Sequence, residues 1–348
     1  MGKEELSVSG GTNGGFVHVL FAVVLASAAL YLARVVLEPI AFALFGMALV
    51  WPLQKTLEAR MPRPIALVLT VLVSLVVIAA LAFAIVWSVG DVVHWVLANL
   101  ERFQSLYTRV TQWLAERDIF VTEWVGQYDV RTFAGVLQQI AGAINSFAGF
   151  CVVVFLLLMF GLTELTFFAR RLDELEPRIG WNVSQTAGEI AGKIRRYMLI
   201  RTLASVLTGL AVFAYTYSLG LELAIAWGII SFVLYIPYIG TLVAIVLPVL
   251  FAAAQFESWQ MPIIIFGGLY VIQFLIGNYL EPLIAGKALA VSPFVMLVAF
   301  FFWGFLWGMP GAFIGLPMTI AFITICERDP SLRWIVRLVT PSGDARAD

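Results

Sequence analysis

The side chains that could do chemistry are few in the second half of this sequence, and they interrupt long apolar runs. They are Glu222, Gln255, Glu257, Gln273, Asn278, Glu281, Lys287 and Ser292. Two interpretations are open for those around Pro282. In one, Gln273 and Asn278 offer neutral hydrogen bonds to a polar solute. In the other, Glu281 and Lys287 form an ion pair in a solvated loop.

Enzyme chemistry finds little support in the sequence. There is no nucleotide-binding P-loop, and none of the long apolar runs contains an aspartate. The only histidines are His18 and His94, and both cysteines, Cys151 and Cys326, lie in apolar runs. We therefore expect no enzyme, no bound metal and no cofactor. The net charge of −1 argues against a nucleic-acid partner.

The elements that must position these side chains are apolar helices. The chain of 348 residues is 61% hydrophobic and 12% charged, with a mean hydropathy of +0.96. Uncharged runs cover 16–33, 39–54, 64–90, 132–163, 202–221, 223–256, 258–280 and 288–326. A spanning helix needs roughly 20 apolar residues. The sequence therefore predicts an all-α polytopic membrane protein with about eight membrane-embedded segments, embedded in a lipid bilayer.

Lysine and arginine predict the orientation of these segments. Basic residues cluster at 55–63, 170–201 and 328–346, whereas 91–131 holds four arginines against six acidic residues. The positive-inside rule then places both termini and 170–201 in the cytoplasm. Residues 16–33 are predicted to be a retained span, because the first fifteen residues are a poor signal-peptide start. In this topology, spans one and two form a hairpin.

The chain divides into five parts by these criteria. They are three N-terminal spans (1–90), an outer amphipathic helical segment (91–140), a fourth span with a cytoplasmic helical segment (141–201), a core with broken helices (202–326) and a cytoplasmic tail (327–348).

The outer segment carries an apolar seam with a spacing of three and four residues. The seam comprises Val96, Leu100, Phe103, Tyr107, Val110 and Leu114. Such a helix could lie on the bilayer surface, or its seam could pack against a neighbouring helix. The regular 3.5-residue period favours packing, either within the chain or between subunits of a homo-oligomer.

Two long uncharged runs, 223–256 and 288–326, are each broken near the middle. Pro237 and Gly240 interrupt the first, and Gly308 to Gly311 ("GMPG") interrupt the second. Non-helical backbone within a membrane is tolerated only where it lines a cavity or lies inside protein. Paired broken helices therefore indicate a transport site near the bilayer midplane. Each run could be one tilted span or a re-entrant hairpin of two half-helices.

The same region resembles a known family. The strings are "IPYIGT" at 236–241 and "IQFLIGNYLEPLIAGKALAVSPFVMLVAFFFWGFLWGMPGAFIGLPMT" at 272–319. They are similar to the autoinducer-2 exporter family, also called AI-2E or PerM-like permeases. Here Leu234 and Thr241 replace the Asn and Pro that the family often has at those positions.

The resemblance implies a multi-pass transporter of the bacterial inner membrane that assembles as a homo-oligomer, with a pentamer as one form. Members of the family are described as exporters of autoinducer-2, a small polar furanosyl signal, or as sodium/proton antiporters. We expect a secondary transporter or facilitator that exports a small polar organic solute such as autoinducer-2. The alternatives are a monovalent cation/proton antiporter and a membrane protein with a structural role. The expected substrate pathway comprises Pro237, Tyr238, Gly240, Gln273, Asn278, Glu281, Pro282, Lys287, Ser292, Gly308, Gly311 and Pro317.

Overall fold

The computed structural model describes residues 13–116, 142, 146–164, 167, 171, 182–233, 239–256, 258–285, 292–329 and 332–339. Within these ranges the regular structure is helical. The helices are α1 (Asn13–Leu32), α2 (Arg34–Glu58), α3 (Arg63–Ala98), α4 (Leu100–Ala115), α5 (Ser146–Glu164), α6 (Val183–Ser218), α7 (Ala224–Val233), α8 (Ile239–Gln255), α9 (Gln260–Leu275), α10 (Glu281–Ala285), α11 (Pro293–Arg328) and α12 (Arg333–Val339). A π-helical turn, Ile276–Leu280, joins α9 to α10.

Six helical segments among the described residues are long and apolar enough to cross a membrane: α2, α3, α5, α6, α11, and α9 with its π turn. Large apolar side chains on their outer surfaces, such as Val68, Leu210 and Phe305, are more than half exposed. That pattern suits helices whose solvent is lipid rather than water. The predicted all-α polytopic membrane fold is confirmed.

The junction of α1 and α2 is a bend and not the predicted hairpin. Ala33 separates the two helices with φ −86° and ψ 8°. Its N–H donates to Ala29 O at 2.9 Å, and its carbonyl accepts from Leu37 N at 2.9 Å. Helical i to i−4 bonding therefore continues on both sides of Ala33, so the chain cannot reverse there. The prediction that spans one and two form a hairpin is wrong.

Helix α6 is the central helix of the described core, since α2, α7, α9, α10 and α11 all contact it. It begins at an amino cap in which Asn182 Oδ1 accepts from Gln185 N at 2.7 Å. Over 36 residues it joins the basic segment around Lys193 to the apolar run 202–221. One continuous helix thus extends from the predicted cytoplasmic segment through the predicted fifth span.

The first hairpin consists of α7 and α8. At its base, Gln255 Nε2 donates to Gly220 O and Gln255 Oε1 accepts from Glu222 N, both at 2.9 Å. One turn further in, the rings of Trp227 and Phe251 lie 5.1 Å apart. The start of α7 therefore lies beside the end of α8. Residues 223–256 enter and leave the core at the same end, as in the re-entrant topology.

The second hairpin lies within α11. Gly308 has φ 68° and ψ −148°, a left-handed conformation that favours glycine. Beyond it the chain turns back, because a Cβ on Gly304 would lie 3.6 Å from Ala312 Cβ. Further along, Met296 packs on the cluster that contains Ile320. The two arms, α11a (293–307) and α11b (309–328), are therefore antiparallel. Neither broken run is one tilted span.

The apolar seam of the outer segment does not lie on a single helix. Helix α3 ends at Ala98, and Asn99 adopts φ −119° and ψ 30° before α4 begins. Val96 therefore belongs to α3, where it is buried, and the other five seam residues lie on α4. The Phe103 ring makes an edge contact with Trp95 at 6.1 Å, and α4 packs against α8. Part of the seam is thus covered within the chain.

Candidate functional site

The first hairpin approaches α6 from one end. A Cβ on Gly209 would lie 2.9 Å from Phe232 Cβ, and one on Gly228 would lie 2.8 Å from Phe213 Cβ. The two helices are therefore antiparallel and in close backbone contact, which only glycine permits at this crossing. In this register Val233, the last residue of α7, lies opposite residue 208 of α6, next to Gly209.

The second hairpin approaches α6 from the opposite end. Lys193 Nζ donates to Thr324 Oγ1 at 3.0 Å, and Tyr197 shares a buried cluster with Ile320. Arm α11b is thus antiparallel to α6. Each step back along α11b corresponds to one step forward along α6. Counted from the Lys193–Thr324 contact, Gly308 lies opposite Gly209, the level at which α7 ends. In these registers Val233, the last described residue before the first break, and Gly308 fall at one depth along α6.

Gln273 lies at the same depth on α9. Near one end of the contact, Tyr215 Oη donates to Ile264 O at 2.8 Å. Near the other, Arg201 Nη1 contacts Glu281 Oε1 at 3.0 Å. Interpolation between these contacts puts Gln273 beside residue 208 of α6. That level is about 10 Å from Arg201 and about 16 Å from residue 219 along the helix axis. The sum of these distances is slightly shorter than a hydrocarbon core of about 30 Å.

Hydroxyl groups buried in the helices are mostly satisfied by their own backbone. Thr208, Thr216, Ser74, Ser88 and Thr324 each donate to the carbonyl four residues earlier, at 2.7–2.9 Å. This local bonding removes the need for any partner from another helix.

Four buried side-chain atoms in the described region lack a hydrogen-bond partner: Gln54 Oε1, Thr70 Oγ1, Ser231 Oγ and Gln273 Oε1. A buried acceptor without a partner costs free energy, so a retained one calls for an explanation. Ser231 and Gln273 lie at the level of the two breaks, and Gln273 is only 6% exposed. Its carboxamide oxygen is therefore available to accept a hydrogen bond from a solute.

Glu281 pairs with Arg201, a partner that sequence reasoning missed. Arg201 Nη1 lies 3.0 Å from both carboxylate oxygens of Glu281. Arg201 Nε donates to Tyr197 Oη at 3.1 Å. The two charged residues are 80 positions apart, and only the antiparallel packing of α6 against the helix that ends at Glu281 brings them together. Lys287, the predicted alternative partner, lies outside the described residues.

The opposite end of α6 is closed by a second polar cluster. Trp95 Nε1 donates to Glu222 Oε2, and Trp227 Nε1 donates to Glu222 O at 3.1 Å. Leu223 has φ 58°, a strained conformation for a residue with a branched side chain. Together with the hydrogen bonds of Gln255, these contacts fix the base of the first hairpin.

The structure separates the remaining pathway residues. Pro237 and Tyr238 lie outside the described residues, and Gly240 is buried in the first turn of α8. Asn278 is exposed on the π turn, where its Nδ2 donates to Phe274 O at 3.2 Å. Gln273 and Asn278 therefore lie on different sides of their helix.

The other pathway residues lie at the second hairpin and just before it. Pro282 lies in α10. Ser292 precedes α11a, and its carbonyl oxygen accepts a hydrogen bond from Met296 N at 3.0 Å. Gly311 is buried against Trp303 O, where no other residue fits, and Pro317 is buried in α11b. Close packing against Trp303 is therefore enough to explain a glycine at position 311.

A comparison with protein families decides the class of this protein. The model for AI-2E family transporters matches residues 20–329, which is most of the chain. The chain belongs to the AI-2E transporter family. The resemblance found in the sequence is confirmed, and the chain is accordingly a multi-pass membrane protein of a transporter family.

Individual relatives agree with this assignment. A putative transport protein of Borreliella burgdorferi is 36% identical over 206 residues, 57% of each chain, so the match spans little more than half of that relative. The AI-2 transport protein TqsA of Escherichia coli is 25% identical over 299 residues, 83% of this chain and 84% of the relative. The putative transport protein YhhT of the same species is 26% identical over 323 residues, 87% and 88% of the two chains.

Proposed function

We propose that this AI-2E family member is a secondary transporter or facilitator that moves a small polar organic solute across the bacterial inner membrane. The observation that carries the proposal is the arrangement of the two hairpins, which approach α6 from opposite ends and break at one depth. Broken helices expose backbone N–H and C=O groups that a polar solute needs as partners in a low-dielectric core.

Gln273 supplies the side chain of the proposed site. Its Oε1 is buried and has no partner in the described structure, and it lies level with the two breaks. A neutral acceptor suits the hydroxyl groups of an uncharged solute better than it suits a bare cation, which antiporters bind through carboxylates. Gly240 and Gly308, at the ends of the broken segments, complete the pathway that we propose.

Autoinducer-2 is the first solute to test, because the E. coli relative is named as an AI-2 transport protein. At 25% identity, the name of this relative guides the choice of the first substrate to test, but it does not identify the substrate of this chain. The departures at Leu234 and Thr241 flank the Pro237–Gly240 break in the sequence. They give a reason to test related small polyols in the same assay.

The orientation we propose follows the basic residues. Lys193 and Arg328 lie at the base of the second hairpin, where Arg328 Nη2 is 2.7 Å from Glu189 Oε2. The positive-inside rule assigns this end to the cytoplasm, together with the C-terminus. The first hairpin then enters from the outside. The cytoplasmic position of the N-terminus stays a prediction, because the bend at Ala33 replaces the hairpin with which that position agreed.

Flux through purified protein in liposomes tests this proposal. Autoinducer-2 and a panel of neutral polyols would be measured for uptake and efflux, with and without sodium and pH gradients. We expect solute flux well above that of empty liposomes. Gradient-driven exchange of sodium for protons without solute flux would indicate the antiporter instead. No flux of any kind would contradict the proposal and support a structural role.

A further inference from the structure

The helix that carries Gln273 contains a local irregularity just before Glu281. At Ile276–Leu280 the backbone widens into a π turn, and the N–H of Glu281 donates to Ile276 O, five residues earlier. π turns inside α-helices are rare and are frequently found at functional sites. This turn lies between the level of the proposed solute site and the Arg201–Glu281 ion pair.

The ion pair is neither fully exposed nor fully buried. The side chains of Arg201 and Glu281 are 13% and 23% exposed. The pair is therefore screened less than a surface ion pair. Both side chains keep some exposed surface, so either charge can be solvated from outside the protein when the pair opens. These are the properties required of a contact that forms and breaks during function.

Arg201 is the fixed side of the pair. Its Nε donates to Tyr197 Oη at 3.1 Å, and Tyr197 is 4% exposed in a cluster with Leu316 and Ile320 of arm α11b. Arg201 is thus held on α6 and, through Tyr197, against the second hairpin. Glu281 instead follows a π turn whose backbone has an alternative, regular α-helical form. Glu281 is therefore the side that can move.

We propose that the Arg201–Glu281 pair is a latch on the cytoplasmic side of the pathway, released when the π turn converts to α-helix. A change from i−5 to i−4 bonding removes one residue from the turn, which rotates the following residues by about 100°. Glu281 then leaves Arg201 and opens a route to the level of Gln273. This inference rests on the proposed function and adds the means by which one end of its pathway opens.

A cysteine placed behind the latch reports its opening. Ser205 lies one turn beyond Arg201 toward the hairpin breaks and is buried. The reporter is Ser205→Cys in a background where Cys151 and Cys326 are alanine. Its rate of labelling by a membrane-impermeant thiol reagent is measured in inside-out vesicles, where the cytoplasmic face is accessible. We expect slow labelling of this cysteine while the latch is intact.

Two glycines on the same helix provide the matched variants. A Cβ on Gly277 or on Gly267 would meet no atom within 4 Å, so neither alanine creates a clash. Gly277→Ala acts within the π turn and favours regular α-helix, whereas Gly267→Ala makes the same change within α9. We expect Gly277→Ala to raise the labelling rate roughly three- to fivefold, the size of shift that helix propensity supports. Gly267→Ala should leave the rate unchanged.

Charge variants test the pair itself. Glu281→Gln preserves the shape of the side chain, removes its charge and should raise labelling at least threefold. The exchange Arg201→Glu with Glu281→Arg should restore slow labelling if the ion pair holds the latch. Equal rates for Gly277→Ala and Gly267→Ala, together with an unchanged rate for Glu281→Gln, would overturn the proposal. The assay requires no solute, so absence of flux in liposomes would contradict the proposed function separately.

Discussion

Among single residues, the carboxamide of Gln273 differs from most of the hydroxyls buried around it. A serine or threonine in a helix can bond to its own backbone, as Thr208 does with Ala204 O at 2.9 Å. The longer Gln273 side chain leaves its Oε1 unpartnered at the level of the hairpin breaks. We propose that this acceptor is kept, despite its cost, because a solute binds there.

Replacing Gln273 by leucine should therefore separate stability from transport. Gln273→Leu removes an unpartnered buried acceptor, so we expect stability to rise by about 1 kcal/mol. Flux per assembled protein should fall at least tenfold. Gln54→Leu is the matched control. Gln54 is also buried with an unpartnered Oε1, but it lies near the C-terminal end of α2, whereas the bend at Ala33 lies at the N-terminal end. The readouts are thermal unfolding in detergent and flux in liposomes; equal flux in the two variants would contradict the role of Gln273.

Sequence reasoning selected Gln273 and Glu281 because polar residues are rare within apolar runs. It missed Arg201 as the partner of Glu281, since nothing in a sequence pairs two residues 80 positions apart. It missed Ser231 because a serine in an apolar helix usually bonds to its own backbone. The Glu281–Lys287 pair was predicted from proximity in sequence and stays a prediction, because Lys287 lies outside the described residues.

At the scale of elements, the two hairpins differ in how their arms meet. The first is closed at its base by the hydrogen bonds of Gln255, and the second is packed near its break, where Gly311 and Gly315 face Trp303. Proline and glycine made both breaks predictable, because they weaken helices in any context. The bend at Ala33 was not predictable, because alanine favours a regular helix. Trp307 Nε1 donates to Leu30 O at 3.1 Å beside this bend, a tertiary contact that sequence does not reveal.

The packing of the second hairpin gives a prediction about two of its glycines. Gly311→Ala would place a Cβ against Trp303 O, whereas Gly304→Ala would make only an ordinary 3.6 Å contact with Ala312 Cβ. Overpacking of this kind costs about 1–3 kcal/mol. We expect Gly311→Ala to lower the thermal midpoint in detergent and Gly304→Ala to leave it within experimental error. A midpoint for Gly311→Ala equal to that of the parent would show that the hairpin arms are further apart than described.

At the scale of the whole molecule, the outer face of α4 bears on assembly. The seam was predicted from a 3.5-residue period, but the period cannot reveal that Asn99 ends α3 before α4 begins. Contacts with Trp95 and α8 cover part of the seam within the chain. The homo-oligomer remains a prediction, and the half-buried side chains of α4 are the place to test it.

Charged substitutions on the two faces of α4 test assembly through the seam. Phe103→Asp with Val110→Asp places two carboxylates on the apolar face and should lower the oligomer mass in detergent. Ser105→Asp with Thr108→Asp adds the same charge on exposed positions and should not. Mass would be measured by light scattering alongside thermal unfolding, so that loss of fold is recognised. Equal oligomer mass in both double variants would favour a helix that lies on the bilayer surface.

If the breaks of the two hairpins lie together inside the membrane, as we propose, the distance between them is short and can be measured. Spin labels at Thr241→Cys and Met309→Cys, in a background without Cys151 and Cys326, report this distance by electron paramagnetic resonance in liposomes. A second pair, Arg196→Cys with Ser218→Cys, lies on α6 itself, about 33 Å apart along the helix axis. We expect a Thr241–Met309 distance far shorter than that of the second pair, within the roughly 10 Å separation of packed helices plus the reach of the labels. A distance equal to or longer than that of the second pair would contradict it.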